Sequence, residues 1–346
     1  MSEGARMEKP GLLDGAIAPF ANDRMFGHGA AEQFLASSYQ SGKLHHAILI
    51  EGPEGIGKAT LAFRFAHHVL SHPDPASAPF VIADPDPNSL VGRQIASGAS
   101  HNLLHIARPV DEKTGRVKSS ITVEEIRKAG HFFSQTSGGG NWRIVILDPA
   151  DDMNRNAANA ILKVLEEPPK RSLFLVLSHA PGKLLPTIRS RCMPLKLQTL
   201  GVDDLASALA HLGVSPPVEQ MAALSDLSKG SVSQALKLIN YGGMEIIAAF
   251  NAILASEGPA ARKQMHKLAD ALSAKDSDVI YHFFIEHLSE FLMDNARQVA
   301  MAGDLARAER LSRLSSAIIE KLGVAGAYNL DRKQTLLEIL GEVAAV

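Results

Sequence analysis

The segment Gly52-Pro53-Glu54-Gly55-Ile56-Gly57-Lys58 has the residue types and spacing that hold phosphate. It follows the apolar run Ile48-Leu49-Ile50 and precedes a helical pattern reaching about Leu70. In such a strand, turn and helix, Gly52, Gly55 and Gly57 let backbone N–H groups converge on phosphate oxygens at a helix N-terminus. Lys58 adds a point charge at the β- and γ-phosphates. The next position calls for a Ser or Thr hydroxyl on the Mg²⁺ that bridges those phosphates, and here it is Ala59. Thr60 comes one residue late, which on a helix turns its side chain about 100° away from the metal position.

A second acidic motif follows the apolar run Ile144-Val145-Ile146-Leu147, which ends in Asp148-Pro149-Ala150-Asp151. Ligands of open α/β sheets bind at the carboxyl ends of strands, so Asp148 is placed to hold a Mg²⁺ shell. The neighbouring position, where a glutamate would polarise the attacking water, is Pro149. Asp151 and Asp152 are expected in the first turn of the next helix, complementing its dipole. Losing one positioned catalytic group typically costs ~10²–10⁴-fold in rate, so intrinsic ATP hydrolysis is expected to be lost and no bound metal is expected. The candidate nucleotide-contacting set is Gly52, Gly55, Gly57, Lys58, Ala59, Thr60 and Asp148.

These residues need a sheet and helices to position them. From about Phe26 to Leu197 helical patterns alternate with short apolar runs, the signature of a parallel sheet covered by helices. The clearest strands are 47–51, 143–147, 173–178 and 194–197. Residues 71–100, rich in Pro, Asp, Ser and Gly, read as an irregular surface insertion, and 134–141, with Gly138-Gly139-Gly140, as a second loop. Strand signals vanish after Gly201. Three short helical segments, 202–212, 217–225 and 231–239, lead to longer amphipathic helices from about Gly243. Among these, Ile280, Phe283, Phe284, Leu288, Phe291 and Leu292 keep helical spacing, as do Leu311, Leu314, Ile318 and Leu322. The expected domains are 1–199, 200–242 and 243–346.

Composition narrows the function classes. A chain of 346 residues, 46% hydrophobic and 21% charged, has material for two or three cores. Thirty-five basic and 37 acidic residues, net −2, exclude binding of nucleic acid through bulk charge. The one cysteine, Cys192, excludes an internal disulfide framework and a cysteine-based zinc site. With neither an apolar leader in the first 19 residues nor an uncharged apolar run near the ~20 residues of a membrane span, a cytoplasmic protein with no membrane partner is expected.

The helical stretch Asn156-Ala157-Ala158-Asn159-Ala160-Ile161-Leu162-Lys163-Val164-Leu165-Glu166-Glu167-Pro168-Pro169 puts Ala158, Ile161, Leu162 and Leu165 on one face and stops at paired prolines. Together with Leu184-Leu185-Pro186-Thr187-Ile188-Arg189-Ser190-Arg191-Cys192, it closely resembles the clamp-loader branch of the AAA+ family. There the helix is written NALLKxLEEPP and the later segment carries a Ser-Arg-Cys motif. Phe26-Gly27-His28, Leu44-His45-His46-Ala47 and the segment from Ile121 to Arg127 share the likeness, which covers most of 24–197. The helical domains match mainly in order and size, with Ser228-Lys229-Gly230-Ser231 at the sensor 2 region.

The resemblance implies an α/β P-loop AAA+ module, a parallel sheet flanked by helices, followed by a small helical lid domain and a C-terminal all-helical collar domain. The lesions at Ala59 and Pro149 resemble those of the non-motor subunit class of the bacterial DNA polymerase III loader. The implied role is to support ATP-dependent loading of the sliding clamp onto primed DNA within a hetero-oligomer. Its implied partners are motor subunits of the gamma/tau type, the delta subunit and, through the complex, the sliding clamp and primer-template DNA. ATP or ADP is expected to bind weakly or not at all.

Arg191 becomes by resemblance an arginine finger acting in trans, a device that supplies 10³–10⁵ in rate; read bare, it is a surface arginine paired to a local acid. Gln234 stands where the sensor 2 arginine is expected. The four-cysteine zinc module that many members of the family carry is missing, its place taken by the Pro- and Asp-rich insertion, so zinc is not expected. His72, His101 and His105 read as surface or structural histidines, the pairs His45-His46 and His67-His68 need no metal, and Cys192 reads as a small buried residue. The rival reading is an active AAA+ ATPase motor subunit in which Thr60 and Asp151 restore metal and water positioning; a third is a generic nucleotide-sensing module.

Overall fold

The computed structural model describes residues 12–345 except 112–114, 116 and 135–140. The described chain forms two compact units that part between Ala235 and Leu236. In the first, β1 (Ala47–Glu51), β2 (Leu103–Ile106), β3 (Arg143–Leu147), β4 (Ser172–Ser178) and β5 (Met193–Lys196) form one sheet in the order β2-β3-β4-β1-β5. Every pairing is parallel, with Leu49 opposite Val176 and Ile146 opposite Leu175.

The strands alternate with α1 (Gly29–Gln40), α2 (Lys58–Ser71), α3 (Leu90–Ala96), α4 (Val123–Ser134), α5 (Arg155–Glu166) and α6 (Pro186–Arg189). Three further helices follow: α7 (Val202–His211), α8 (Val218–Ser228) and α9 (Val232–Asn240).

The period-two geometry of a strand decides which helices each residue meets. Ile48, Ile50, Ile144, Ile146, Leu173, Leu175 and Leu177 share one cluster with Leu35 and Tyr39 of α1 and Leu61 and Phe65 of α2. Their neighbours Ala47, Leu49, Val145, Leu147, Phe174 and Val176 share the opposite cluster with Ile126 of α4, Ile161 and Leu165 of α5 and Ile188 of α6. Both faces are therefore buried, which is why these strands read as continuous apolar runs. Each fully buried Leu, Ile, Val or Phe stabilises the sheet by about 1.5–3 kcal/mol.

The structure departs from the sequence reading at three places. A fifth strand, β2, lies at the sheet edge and pairs with β3; of its four residues Ile106 is the buried one. The 71–100 insertion is not wholly irregular: Ser89 caps α3 by accepting the Gly92 N–H at 2.9 Å, and Ala78, Ile82 and Ile95 enter the core. Asp151 and Asp152 do not open α5 but lie in a separate 3-10 turn, Ala150–Asp152, and Asn154 caps α5 by accepting the Ala157 N–H at 2.9 Å. Of the expected loop at 134–141, residues 135–140, including Gly138-Gly139-Gly140, lie outside the described residues.

The second unit is all-helical: α10 (Gly243–Leu254), α11 (Gly258–Ser273), α12 (Asp278–Met301), α13 (Leu305–Tyr328) and α14 (Arg332–Ala344) follow the last residues of α9. Ile280, Phe283, Phe284, Leu288 and Leu292 are buried along α12, and Leu311 and Ile318 along α13. Phe250 meets Phe284 and Phe291 edge-on, with centroids 5.5 and 5.3 Å away. Among the described residues no helix is long and apolar enough to cross a membrane.

Candidate functional site

The β1 strand ends in a loop whose glycines hold backbone angles that side chains disfavour: φ is 150° at Gly52, 75° at Gly55 and 103° at Gly57. α2 begins at Lys58, with Ala59 half-buried against the core and Thr60 buried. The Lys58 ammonium turns back on the loop and donates to the Gly52 and Pro53 carbonyls at 2.6 and 2.5 Å. Burial lowers its pKa to about 8 against the opposing charges of Asp148, Glu54 and Asp151.

The following carbonyls are also occupied by the chain itself. Ser231 Oγ donates to Glu54 at 2.8 Å, the Val232 N–H to Gly55 at 3.0 Å, and the His28 ring to Ile56 at 2.7 Å. From Gly52 to Ile56 each loop carbonyl thus has a donor, two of them from the segment opening α9. That contact is close: a Cβ on Gly55 would lie 2.4 Å from Ser233 Cβ and 2.5 Å from Ser231 Oγ. Gln234 sits in the first turn of α9, where its backbone N–H donates to Ser231 Oγ at 3.2 Å.

Across the strand ends, Asp148 follows β3, its N–H bonded to Ile106 O at 2.8 Å and its carboxylate 3.7 Å from His105 Nε2. His105 is partly exposed and faces Asp148 from beyond hydrogen-bond distance. Asp151 accepts from Ser178 Oγ at 2.9 Å, the His179 N–H at 2.7 Å and the Ala180 N–H at 3.1 Å, so its carboxylate ties down the end of β4. Asp152 pairs with Arg108 at 3.0 Å, while burial pushes its carboxyl pKa up.

His179 escaped the sequence reading. Its buried Nδ1 has no hydrogen-bond partner, and desolvation, then the Lys58 charge, lowers its pKa. The signal was positional: it follows directly on an apolar strand, at the end where open sheets bind ligands.

Arg191 follows α6 and precedes β5. Its Nη2 is 2.7 Å from Glu166 Oε1, and its Nη1 donates to Thr187 O at 2.9 Å. Next to it, Cys192 is buried, and desolvation pushes its thiol up to about 12, a reactivity far below that of a nucleophilic cysteine. Among the described residues no group of three or more His, Cys, Asp or Glu side chains is arranged to hold a metal ion.

A family model described as DNA polymerase III, delta subunit, matches residues 27–201. The chain belongs to this family. It is 35% identical over 200 residues to DNA polymerase III subunit delta' of Pseudomonas aeruginosa, covering 58% of this chain and 57% of that one. It is 31% identical over 206 residues to subunit delta' of Bacillus subtilis, covering 60% and 57%. Over 227 residues it is 27% identical to DNA polymerase III subunit gamma of Buchnera aphidicola, covering 64% and 58%. The chain thus spans 57–58% of the length of these relatives.

For this member of the DNA polymerase III delta family, every candidate from Gly52 to Arg191 falls inside the matched segment, and Gln234 falls beyond it. The fold brings Gly52, Gly55, Gly57, Lys58 and Asp148 to the carboxyl ends of β1 and β3. Arg191 instead has its contacts at the end of α5 and on α6.

Proposed function

We propose that the chain is the non-motor delta-prime subunit of the bacterial DNA polymerase III clamp loader and supports ATP-dependent loading of the sliding clamp onto primed DNA. The observation that carries this reading is a phosphate loop of complete backbone form that lacks both catalytic partners. Ala59 offers no metal ligand and Pro149 no carboxylate, and Asp151, the nearest substitute base, is held by three bonds at the end of β4. The chain's own ATPase is lost, and it is a non-catalytic subunit of the holoenzyme.

ATP or ADP binds weakly or not at all, because a phosphate must compete with two carbonyls for the Lys58 ammonium. Zinc plays no part. Arg191 acts in trans on the nucleotide of an adjacent gamma/tau-type motor subunit. The delta subunit is a further partner, and the clamp and primer-template DNA are met through the cytoplasmic hetero-oligomer. Residues 1–199 serve as the nucleotide-type module, 200–242 as a lid and 243–346 as an oligomerisation collar.

The test is steady-state ATP hydrolysis by the isolated chain with Mg²⁺, with Lys58→Ala as the contamination control. No Lys58-dependent turnover is the expected result. Turnover abolished by Lys58→Ala would overturn the proposal and make the chain an active motor subunit.

A further inference from the structure

We infer that Glu166 is a positioning residue for Arg191, holding its guanidinium oriented for a phosphate on a neighbouring subunit; the inference rests on the trans-acting reading of Arg191. Glu166 is the last residue of α5, where the exposed carbonyls and the negative end of the helix dipole disfavour a carboxylate. Helix stability alone therefore gives no reason for an acid there. The acid instead meets Arg191 Nη2 at 2.7 Å, while Nη1 is fixed to Thr187 O at 2.9 Å.

The two anchors come from different elements, the end of α5 and the short helix α6, and they grip the two terminal nitrogens of one planar group. A guanidinium has five N–H donors in a fixed fork. Using one on Glu166 and one on Thr187 leaves three for phosphate oxygens, and the side chain is 34% exposed. The group is thus both anchored and accessible, the condition under which a charge meets a transition state without reorganising first. As a stability element the pair contributes little, because both partners are open to water, which screens their attraction. Its value lies in orientation.

The test uses the loader reconstituted from motor subunits, delta and this chain, and reads ATP turnover with clamp and primed DNA. Arg191→Ala defines the Arg191-dependent part of that turnover. Glu166→Ala is expected to lower this part about tenfold in kcat with KM for ATP unchanged, since misplacing an otherwise intact group costs up to ~10²-fold. Glu166→Gln, which keeps an acceptor oxygen, should retain at least about half of it. The double variant should be no worse than Arg191→Ala alone, because the two act as one unit.

Unchanged turnover in Glu166→Ala, losses that add to those of Arg191→Ala, a rise in turnover, or failure of Glu166→Ala to assemble would each overturn the positioning role. If Arg191→Ala itself changes nothing, the trans-acting reading fails first, and the two failures are told apart by that single variant.

Discussion

Placing a methyl group on Gly55 tests whether the phosphate loop and the start of α9 are packed as closely as the geometry indicates. At φ 75° an alanine pays about 1–2 kcal/mol for the left-handed backbone alone. Its Cβ would also sit 2.4–2.5 Å from Ser233 Cβ and Oγ and Ser231 Oγ, inside any ordinary contact distance. Overpacking of that kind adds about 1–3 kcal/mol. The expected total for Gly55→Ala is therefore about 2–5 kcal/mol.

Gly42 is the matched control, with φ 67° and nothing within 4 Å of its Cβ position, so Gly42→Ala should lose only the backbone part. Urea unfolding followed by Trp142, the chain's one tryptophan, reports on the first unit, where it sits 5.5 Å from Tyr39. A difference of about 1–3 kcal/mol between the variants is expected. Equal losses would refute the close approach, and with it the Val232 to Gly55 bond as a restraint on α9.

Two further outcomes follow from the same region and from α2. Asp151→Ala, which removes the acceptor for Ser178, His179 and Ala180, should cost about 2–4 kcal/mol in urea unfolding. Asp152→Ala, breaking a half-exposed pair with Arg108, should cost under about 1 kcal/mol, and equal costs would count against Asp151 as the tie to β4. His68 is buried with its Nε2 unpartnered, and desolvation, reinforced by His72 and His67, holds its pKa near about 4 instead of 6.5. The unfolded chain therefore binds the extra proton first: the stability is fully present above pH 6.5 and is lost as pH falls towards 4, by about 2–3 kcal/mol for this one group. His68→Phe should flatten the loss in urea unfolding between those pH values, and an unchanged slope would refute the assignment.

How much was legible depended on whether a feature was local. The strand, glycine turn and helix around Lys58 could be read because such a loop uses consecutive residues, and Ala59 and Pro149 are identified simply by their fixed offsets from it. The apolar runs at β1, β3 and β4 announced buried parallel strands because both their faces are covered, whereas β2 became visible only through its pairing with β3. Asp151 was misread because its partners, Ser178, His179 and Ala180, lie on another strand's end, out of reach of any local pattern. His179 stood in a legible place directly after β4, but the Lys58 charge that acts on it comes from another element.

The sequence by itself determined the order of elements, the alternation that turns Ile48 and Leu49 to opposite faces, and the chemical groups available at Lys58, Asp148 and Arg191. Only the tertiary structure decided which of those groups are committed: Lys58 to its own loop, Asp151 to β4, and Arg191 to Glu166 and Thr187. The physical reason is range. Backbone propensity and periodicity act over a few residues, but a hydrogen bond is chosen by proximity within about 3 Å after the chain has packed, and packing joins residues that the sequence keeps far apart.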